Sequence, residues 1–269
     1  MRVPSREASP STADRRRYEL SRIELADGRE TTVYVVVHPR RTTRLRLASF
    51  DEPTRLDHWC AANGQPEAIV AGFFIRDPWR PLGEVRIGGE PVAHEAIEGP
   101  FGPARSCLHV EPDGAVTLAR RDEIATAPAG DLVQAGPRLV AGGRAVVDDE
   151  DREGFSAGAG QFDSDITVGR HPRCALGFNE EELFAVCCDG RRTGLDAGLD
   201  LAELAQLLVS LGATEAINLD GGGSATLVHR GHLLNRPYGS VDQPGPESRP
   251  VATALLFESL PKGTGLPVG

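Results

Sequence analysis

The sequence predicts an α+β fold, a single domain with a largely antiparallel or mixed β-sheet core, many hairpins and few helices. Three observations carry this expectation. Short β-branched or alternating apolar segments recur along most of the chain. Neighbouring segments are separated by glycine-, proline- or asparagine-containing turn signals. Strong helical periodicity occurs in one place.

Taken in order, Thr31–Val37 is rich in β-branched residues, and Arg44–Leu47 alternates as a half-buried strand does. Ala68–Ile75 is apolar throughout and reads as one buried strand. Val85–Ile87 enters a tight turn at Gly88-Gly89. Leu108–Val110 and Ala115–Leu118 flank Glu111-Pro112-Asp113-Gly114, a hairpin turn. Leu139-Val140 and Ala145–Val147 flank Gly142-Gly143 in the same way. The acidic run Asp148–Asp151 and the Gly/Ala/Ser-rich stretch after it, to residue 165, read as a mobile surface loop. Ala175–Phe178 and Leu183–Val186 bracket the turn Asn179–Glu181.

The helix is Leu201–Leu211, with Leu201, Leu204, Ala205, Leu208 and Leu211 on one face. Asp200 is placed to cap it, Glu203 to complete a capping box, and Gly212 to end it. A strand at Ala216–Leu219 runs into three glycines. Ala225–Val228 and His232–Leu234 frame a hairpin at Arg230-Gly231, and Val251–Phe257 is a final apolar strand. Residues 1–17 read as a disordered polar tail, 18–258 as the domain, and 259–269 as a flexible tail.

Of the 269 residues 40% are hydrophobic, enough for a sizeable core, but only 5% are aromatic, so that core rests on aliphatic side chains. A net charge of −10 repels phosphate backbones and argues against a nucleic-acid partner. Lys262 is the only lysine, so any phosphate site must be built from arginine, whose planar fork suits phosphate oxygens. The amino-terminal segment lacks the apolar core of a signal peptide and no apolar run is long enough to span a bilayer, so a cytoplasmic protein without a membrane partner is expected. Cys60, Cys107, Cys174, Cys187 and Cys188 are odd in number and form no CxxC pair. They read as small buried thiols rather than a zinc site or disulfide framework. The oligomeric state has no signature in the sequence.

Chemistry concentrates in Asn218-Leu219-Asp220-Gly221-Gly222-Gly223-Ser224. Successive glycines let a ligand approach the main chain, and successive amides can form an anion-binding concavity. Ser224 adds a hydroxyl and Asp220 a carboxylate at a strand end. The plainer reading is a tight turn with no ligand. The Gly-Lys-[ST] ending of a P-loop and the GxGxxG spacing of a dinucleotide fold are both absent. Asp189-Gly190-Arg191 ends another apolar segment, where a self-satisfied turn is the alternative to a site. Arg173 and Arg249 each precede an apolar strand, and His171 lies two residues before Arg173.

These residues resemble the phosphodiester glycosidase family. The matching features are Arg173–Gly177, Asp189-Gly190-Arg191, the helix capped by Asp200, and Ala216–Thr226. Upstream, Ala71–Phe74, Leu82–Val85 and Gly136–Val140 also match, as does Arg249–Val251 downstream. One position departs: the family usually carries Asn before the Gly-Phe-Phe motif's small residue, and here Val70 stands there, which forms no side-chain hydrogen bond.

The resemblance implies hydrolysis of a glycosyl phosphodiester, releasing free sugar and a phosphomonoester. It makes Asp220 and Asp189 the candidates for base or nucleophile, with Glu84 a weaker third. It makes Gly221, Gly222, Gly223 and Ser224 a phosphate cradle, Arg173 and Arg249 a bidentate clamp, and Asn218 and Arg191 further substrate contacts. No cofactor is required, although Ca²⁺ or Mg²⁺ held by the two aspartates is compatible with their chemistry. Two other functions compete. One is a non-catalytic module for a glycosyl phosphate or nucleotide sugar. The other is a phosphodiesterase cutting the P–O bond, ranked lower for want of two-metal ligand clusters.

Overall fold

Apolar segments become strands almost wherever the sequence places them. The computed structural model describes residues 17–147, 151–156, 161, 166–237 and 248–261. The chain runs through β1 (Arg17–Glu24), β2 (Glu30–Pro39), β3 (Thr43–Thr54), helix α1 (Leu56–Asn63), β4 (Ala68–Val70), β5 (Phe74–Arg76), β6 (Trp79–Pro81), β7 (Val85–Ile87), β8 (Glu90–Pro91), the short helix α2 (Phe101–Ala104) and β9 (Ser106–Val110). It continues through β10 (Val116–Arg120), β11 (Asp131–Gln134), β12 (Arg138–Ala141), β13 (Arg144–Ala145), β14 (Arg173–Phe178), β15 (Glu182–Cys188), helix α3 (Leu201–Ser210), β16 (Glu215–Asn218), β17 (Leu227–His229), β18 (His232–Leu233) and β19 (Val251–Ser259).

Three main sheets enclose the core. The largest has the order β1-β2-β15-β14-β16-β12-β13, the second β18-β17-β4-β19-β3 and the third β10-β9-β11-β7-β8, while β5 and β6 form a separate hairpin. Pairing between the strands is antiparallel, as an α+β fold of hairpins requires. One face of the seven-stranded sheet, with Tyr34, Val36, Cys174, Leu176, Cys187, Ile217 and Leu219, packs on the other two sheets. Its opposite face, with Val33, Val35, Ala175, Phe184 and Val186, is covered by Leu204, Ala205 and Leu208 of α3. The period-two alternation thus sends successive residues of β2 and β15 into different cores.

Helix α3 has the expected cap. Asp200 accepts the Glu203 amide at 2.8 Å while the Glu203 carboxylate accepts the Asp200 amide at 3.1 Å. Gly212 follows at φ +90°. The five cysteines are buried and free. No helix among the described residues is long and apolar enough to cross a membrane.

The structure corrects the reading in several places. Ala68–Ile75 is not one strand, because the chain turns at Gly72. There the amide donates to Thr253 Oγ1 at 2.9 Å, and the α-carbon presses so closely on Val133 that a Cβ would lie 2.9 Å from its methyl. β1 pairs along β2 from Arg17↔Val37 to Glu24↔Glu30, but as an edge strand with mostly exposed residues it carries little periodic signal. α1 buries only Leu56 and Cys60, too narrow a stripe to read as a helix.

The loop expected to be mobile is anchored where it is described. Asp151 accepts the Phe155 and Ser156 amides, and Phe155 is buried against Phe73 and the Arg105 guanidinium. The Glu153 carboxylate accepts Ser106 N, Ser106 Oγ and Arg138 N. The rest of that loop, and the proposed tails apart from Arg17 and residues 259–261, lie outside the described residues.

Candidate active site

β14 is flanked on one side by β15 and on the other by β16, antiparallel to both. The two outer strands therefore run in the same direction and end at the same edge. Asp189 follows β15 and Asp220 follows β16, so the two aspartates stand two strand positions apart, roughly 10 Å between backbones. The start of β14, Pro172-Arg173, lies between them. Gly190 and Gly221 both press on Pro172, where a Cβ on either would come within 2.7 Å of a Pro172 main-chain atom. The Gly222 amide donates to Pro172 O at 2.8 Å.

Asp220 is buried at the point where the chain leaves the first sheet for the second. Its amide donates to Ala71 O at 2.9 Å, joining the end of β16 to the Ala71–Phe73 turn. Oδ1 accepts the Gly221 amide at 2.7 Å, and the Ser224 hydroxyl also donates to the carboxylate. Burial pushes this carboxyl up to about 6, against the pull of the Gly221 amide, the Ser224 hydroxyl and the nearby Arg249 and Arg76 guanidinium groups. Such a group exchanges a proton near neutrality, as a general base must.

The glycine turn has separate reasons for its residues. Gly222 adopts φ +57°, and a Cβ there would meet Ile166 Cγ2 at 2.8 Å and approach the Arg191 guanidinium at 3.5 Å. At Gly223 the space a side chain needs is filled by Arg249. The expected three-amide cradle is reduced, however. The Gly221 amide is held by Asp220, the Gly222 amide by Pro172 and the Ser224 amide by Gly221 O. The Gly223 amide bonds none of the described residues.

Asp189 faces the inter-sheet core, where Tyr34 OH donates to Oδ2 at 2.9 Å and the Arg236 amide to Oδ1 at 2.8 Å. Burial raises its carboxyl above the usual range, and those two hydrogen bonds oppose the shift. Arg191, at φ +59°, directs its guanidinium to His171 Nδ1 at 3.2–3.3 Å. His171 Nε2 lies 2.8 Å from Val168 O. The bonding pattern assigns Nε2–H as donor and Nδ1 as acceptor, a neutral imidazole.

Three expected site residues, two substrate contacts and the third catalytic candidate, are engaged elsewhere. Arg173 is buried, with Nε donating to Leu199 O at 3.0 Å and Nη2 to Gly169 O at 2.9 Å, so it clasps main chain instead of a ligand. Glu84 sits between Arg86 and Arg121, whose guanidinium groups hold its carboxyl below the usual range even though burial raises it. Asn218 is fully buried and donates to Gly136 O at 3.1 Å, while the two main chains exchange bonds at the cis Gly136-Pro137 turn. Val70 packs in the inter-sheet core. The residue the sequence reading missed is Arg76, an exposed arginine that ends β5 and acts electrostatically on Asp220. Its signal is a cation directly after the apolar run Ala68–Ile75.

A divalent cation does not fit this arrangement. N–H and O–H donors already face both aspartates, and two guanidinium groups act on Asp220. Among the described residues no cluster of three or more His, Cys, Asp or Glu side chains is placed to hold a metal.

A family model described as phosphodiester glycosidase matches residues 63–258. Among solved structures, the chain is similar to the catalytic domain of zebrafish N-acetylglucosamine-1-phosphodiester alpha-N-acetylglucosaminidase, auto-inhibited by its pro-peptide. The TM-score is 0.70 at 20% identity, covering 94% of this chain and 87% of that one. It is also similar to a Synechocystis protein, with TM-score 0.60 and 21% identity, covering 89% of this chain and 61% of that one. At these identities the likeness is one of fold. No curated protein sequence matches the chain.

Proposed function

The chain belongs to the phosphodiester glycosidase family, and from that premise we propose that it hydrolyses the bond between a sugar's anomeric carbon and a phosphodiester oxygen. The products are free sugar and a phosphomonoester. The observation that carries the reading is Asp220, a buried carboxyl raised to about 6 beside a glycine turn lined by guanidinium groups.

The leaving group sets what the site must supply. A phosphomonoester has a second pKa of about 6 and departs with little protonation. The main demands are therefore anion binding, stabilisation of an oxocarbenium-like transition state, and a carboxylate to activate water or attack the sugar. Asp220 serves as that carboxylate. In the direct route it takes a proton from water, the water oxygen bonds the anomeric carbon, and the C–O bond electrons leave with the phosphate. Arg249 and Arg191, with the Gly223 amide, face the phosphoryl oxygens. Asp189 is the second carboxylate at the same sheet edge.

The zebrafish protein's name specifies N-acetylglucosamine, which makes an N-acetylglucosamine phosphodiester the first substrate to test. The experiment is turnover by pure protein in ¹⁸O-labelled water. Label in the released sugar supports the proposal. Label in the phosphate sinks it in favour of P–O cleavage, and tight binding without release sinks it in favour of a binding module.

A further inference from the structure

We propose that His171 is a positioning residue that holds Arg191 over the glycine turn, where its guanidinium meets the phosphoryl group of the substrate. This rests on the glycosyl-phosphate reading of the site.

Three neighbouring segments meet here: Arg191 follows β15, His171 precedes β14 and Gly222 follows β16, with β14 between the other two strands. The Arg191 side chain must therefore cross the lead-in to β14 to reach the turn. It crosses at His171, where Nε and Nη2 lie 3.3 and 3.2 Å from Nδ1 of the ring. The same Nη2 lies 3.5 Å, and Cζ 3.7 Å, from the point where a Cβ on Gly222 would begin. One guanidinium thus touches the imidazole and covers the turn.

The support is itself fixed. The His171 amide donates to Leu199 O at 3.1 Å, and its carbonyl accepts the Leu199 amide at 3.0 Å. Gly198 presses so closely that a Cβ there would lie 2.5 Å from the His171 carbonyl carbon. In the ring, Nε2–H donates to Val168 O at 2.8 Å, which leaves the Nδ1 lone pair facing the guanidinium.

An imidazole acceptor also preserves charge. Arginines elsewhere in the chain are gripped by carboxylates, Arg170 by Glu203 and Arg121 by Glu84. A carboxylate offsets the cation it orients, whereas a neutral imidazole orients it and adds no negative charge. An arginine that must attract phosphoryl oxygens is better held by the second kind of acceptor. The left-handed backbone at Arg191, φ +59°, fits the same role, because it is kept where it aims the side chain.

The test is a double-mutant cycle, with N-acetylglucosamine joined through a phosphodiester and the same sugar on neutral nitrophenol as substrates. His171→Ala is expected to raise KM for the phosphodiester about fivefold to tenfold, with kcat and the neutral glycoside each changed less than about twofold. Arg191→Ala raises the same KM about 10- to 100-fold. Once Arg191 is gone, removing His171 adds less than about twofold. His171→Asn, whose Oδ1 hangs from Cγ as Nδ1 does, recovers most of the KM. His171→Gln, whose amide lies one atom further out, does not.

An unchanged KM in His171→Ala, losses that multiply in the double variant, or equal losses on both substrates overturn the proposal. If His171→Ala fails to fold, the Asn and Gln variants decide, and equal KM values for those two overturn it. If wild type releases no sugar from either substrate, the hydrolase reading fails separately, and the cycle is run by calorimetry with N-acetylglucosamine 1-phosphate. Binding about fivefold to tenfold weaker in His171→Ala, with no further loss in the double variant, supports the role. Multiplying losses, or no binding by wild type, overturn it.

Discussion

The Arg249 guanidinium occupies the space where a side chain on residue 223 would begin: a Cβ at Gly223 would lie 2.7 Å from Nη2 and 2.8 Å from Cζ. Glycine there sets the position of the cation. Gly223→Ala is expected to keep the fold, because the end of a long arginine can swing aside, but to raise KM about tenfold. Gly222→Ala should behave differently. The residue is left-handed and abuts Ile166, so a loss of about 1–2 kcal/mol of stability is expected in urea unfolding. Equal unfolding curves for the two variants would contradict this division.

Asp220→Asn is expected to lower kcat by about 10²- to 10⁴-fold, the range for removing a positioned proton-transfer group. It should also stabilise the protein at neutral pH. A folded-state pKa of about 6, above the usual 3.8, means that native protein holds this proton more tightly than unfolded chain. That stabilisation is full below pH 4 and lost as pH rises through 6. At pH 7.5 wild type therefore carries a penalty of about 3 kcal/mol that the amide escapes. Thermal melts should favour the variant at pH 7.5 and not at pH 4, and the reverse order would defeat the assignment of Asp220 as a buried, raised carboxyl.

Glu84→Gln should leave kcat within about twofold of wild type while lowering stability by about 1 kcal/mol, since its carboxylate serves Arg86 and Arg121. Asn218→Ala should lower stability by about 1–3 kcal/mol by orphaning Gly136 O. A large loss of kcat in Glu84→Gln with unchanged melting would restore the catalytic role expected from the motif.

Tyr34→Phe removes the hydroxyl that Asp189 accepts while preserving the ring's volume. The Asp189 carboxyl then rises further, because a hydrogen bond to its ionised form is gone. If Asp189 titrates during turnover, the rising limb of kcat/KM moves to higher pH. An unmoved limb would leave Asp220 as the only carboxylate in the profile.

Much of the fold was legible because its signals are local. The hairpins at Pro112-Asp113-Gly114 and Asn179–Glu181, and the capped helix after Asp200, depend on neighbouring residues. The turn at Gly72 was not legible, since Val133 and Thr253 impose it from distant segments. The site divides in the same way. Asp189 and Asp220 announce themselves at strand ends, but whether an arginine faces ligand or main chain depends on its surroundings. Arg173 and Arg249 look alike in sequence, yet one bonds the Leu199 and Gly169 carbonyls and the other covers Gly223. Arg76 carries no motif at all.

β19, last of the described strands, sits between β4 and β3 in its sheet, and those two earlier strands meet only through it. During synthesis, the segment that carries Arg76 and the turn that carries Asp220 emerge long before the wedge that fixes them. A nascent chain must hold an open, unpaired sheet until residues 251–259 clear the ribosome. The order of translation thereby delays assembly of the site until that strand has emerged, and premature termination ahead of it should yield aggregation-prone protein instead of a partly active one.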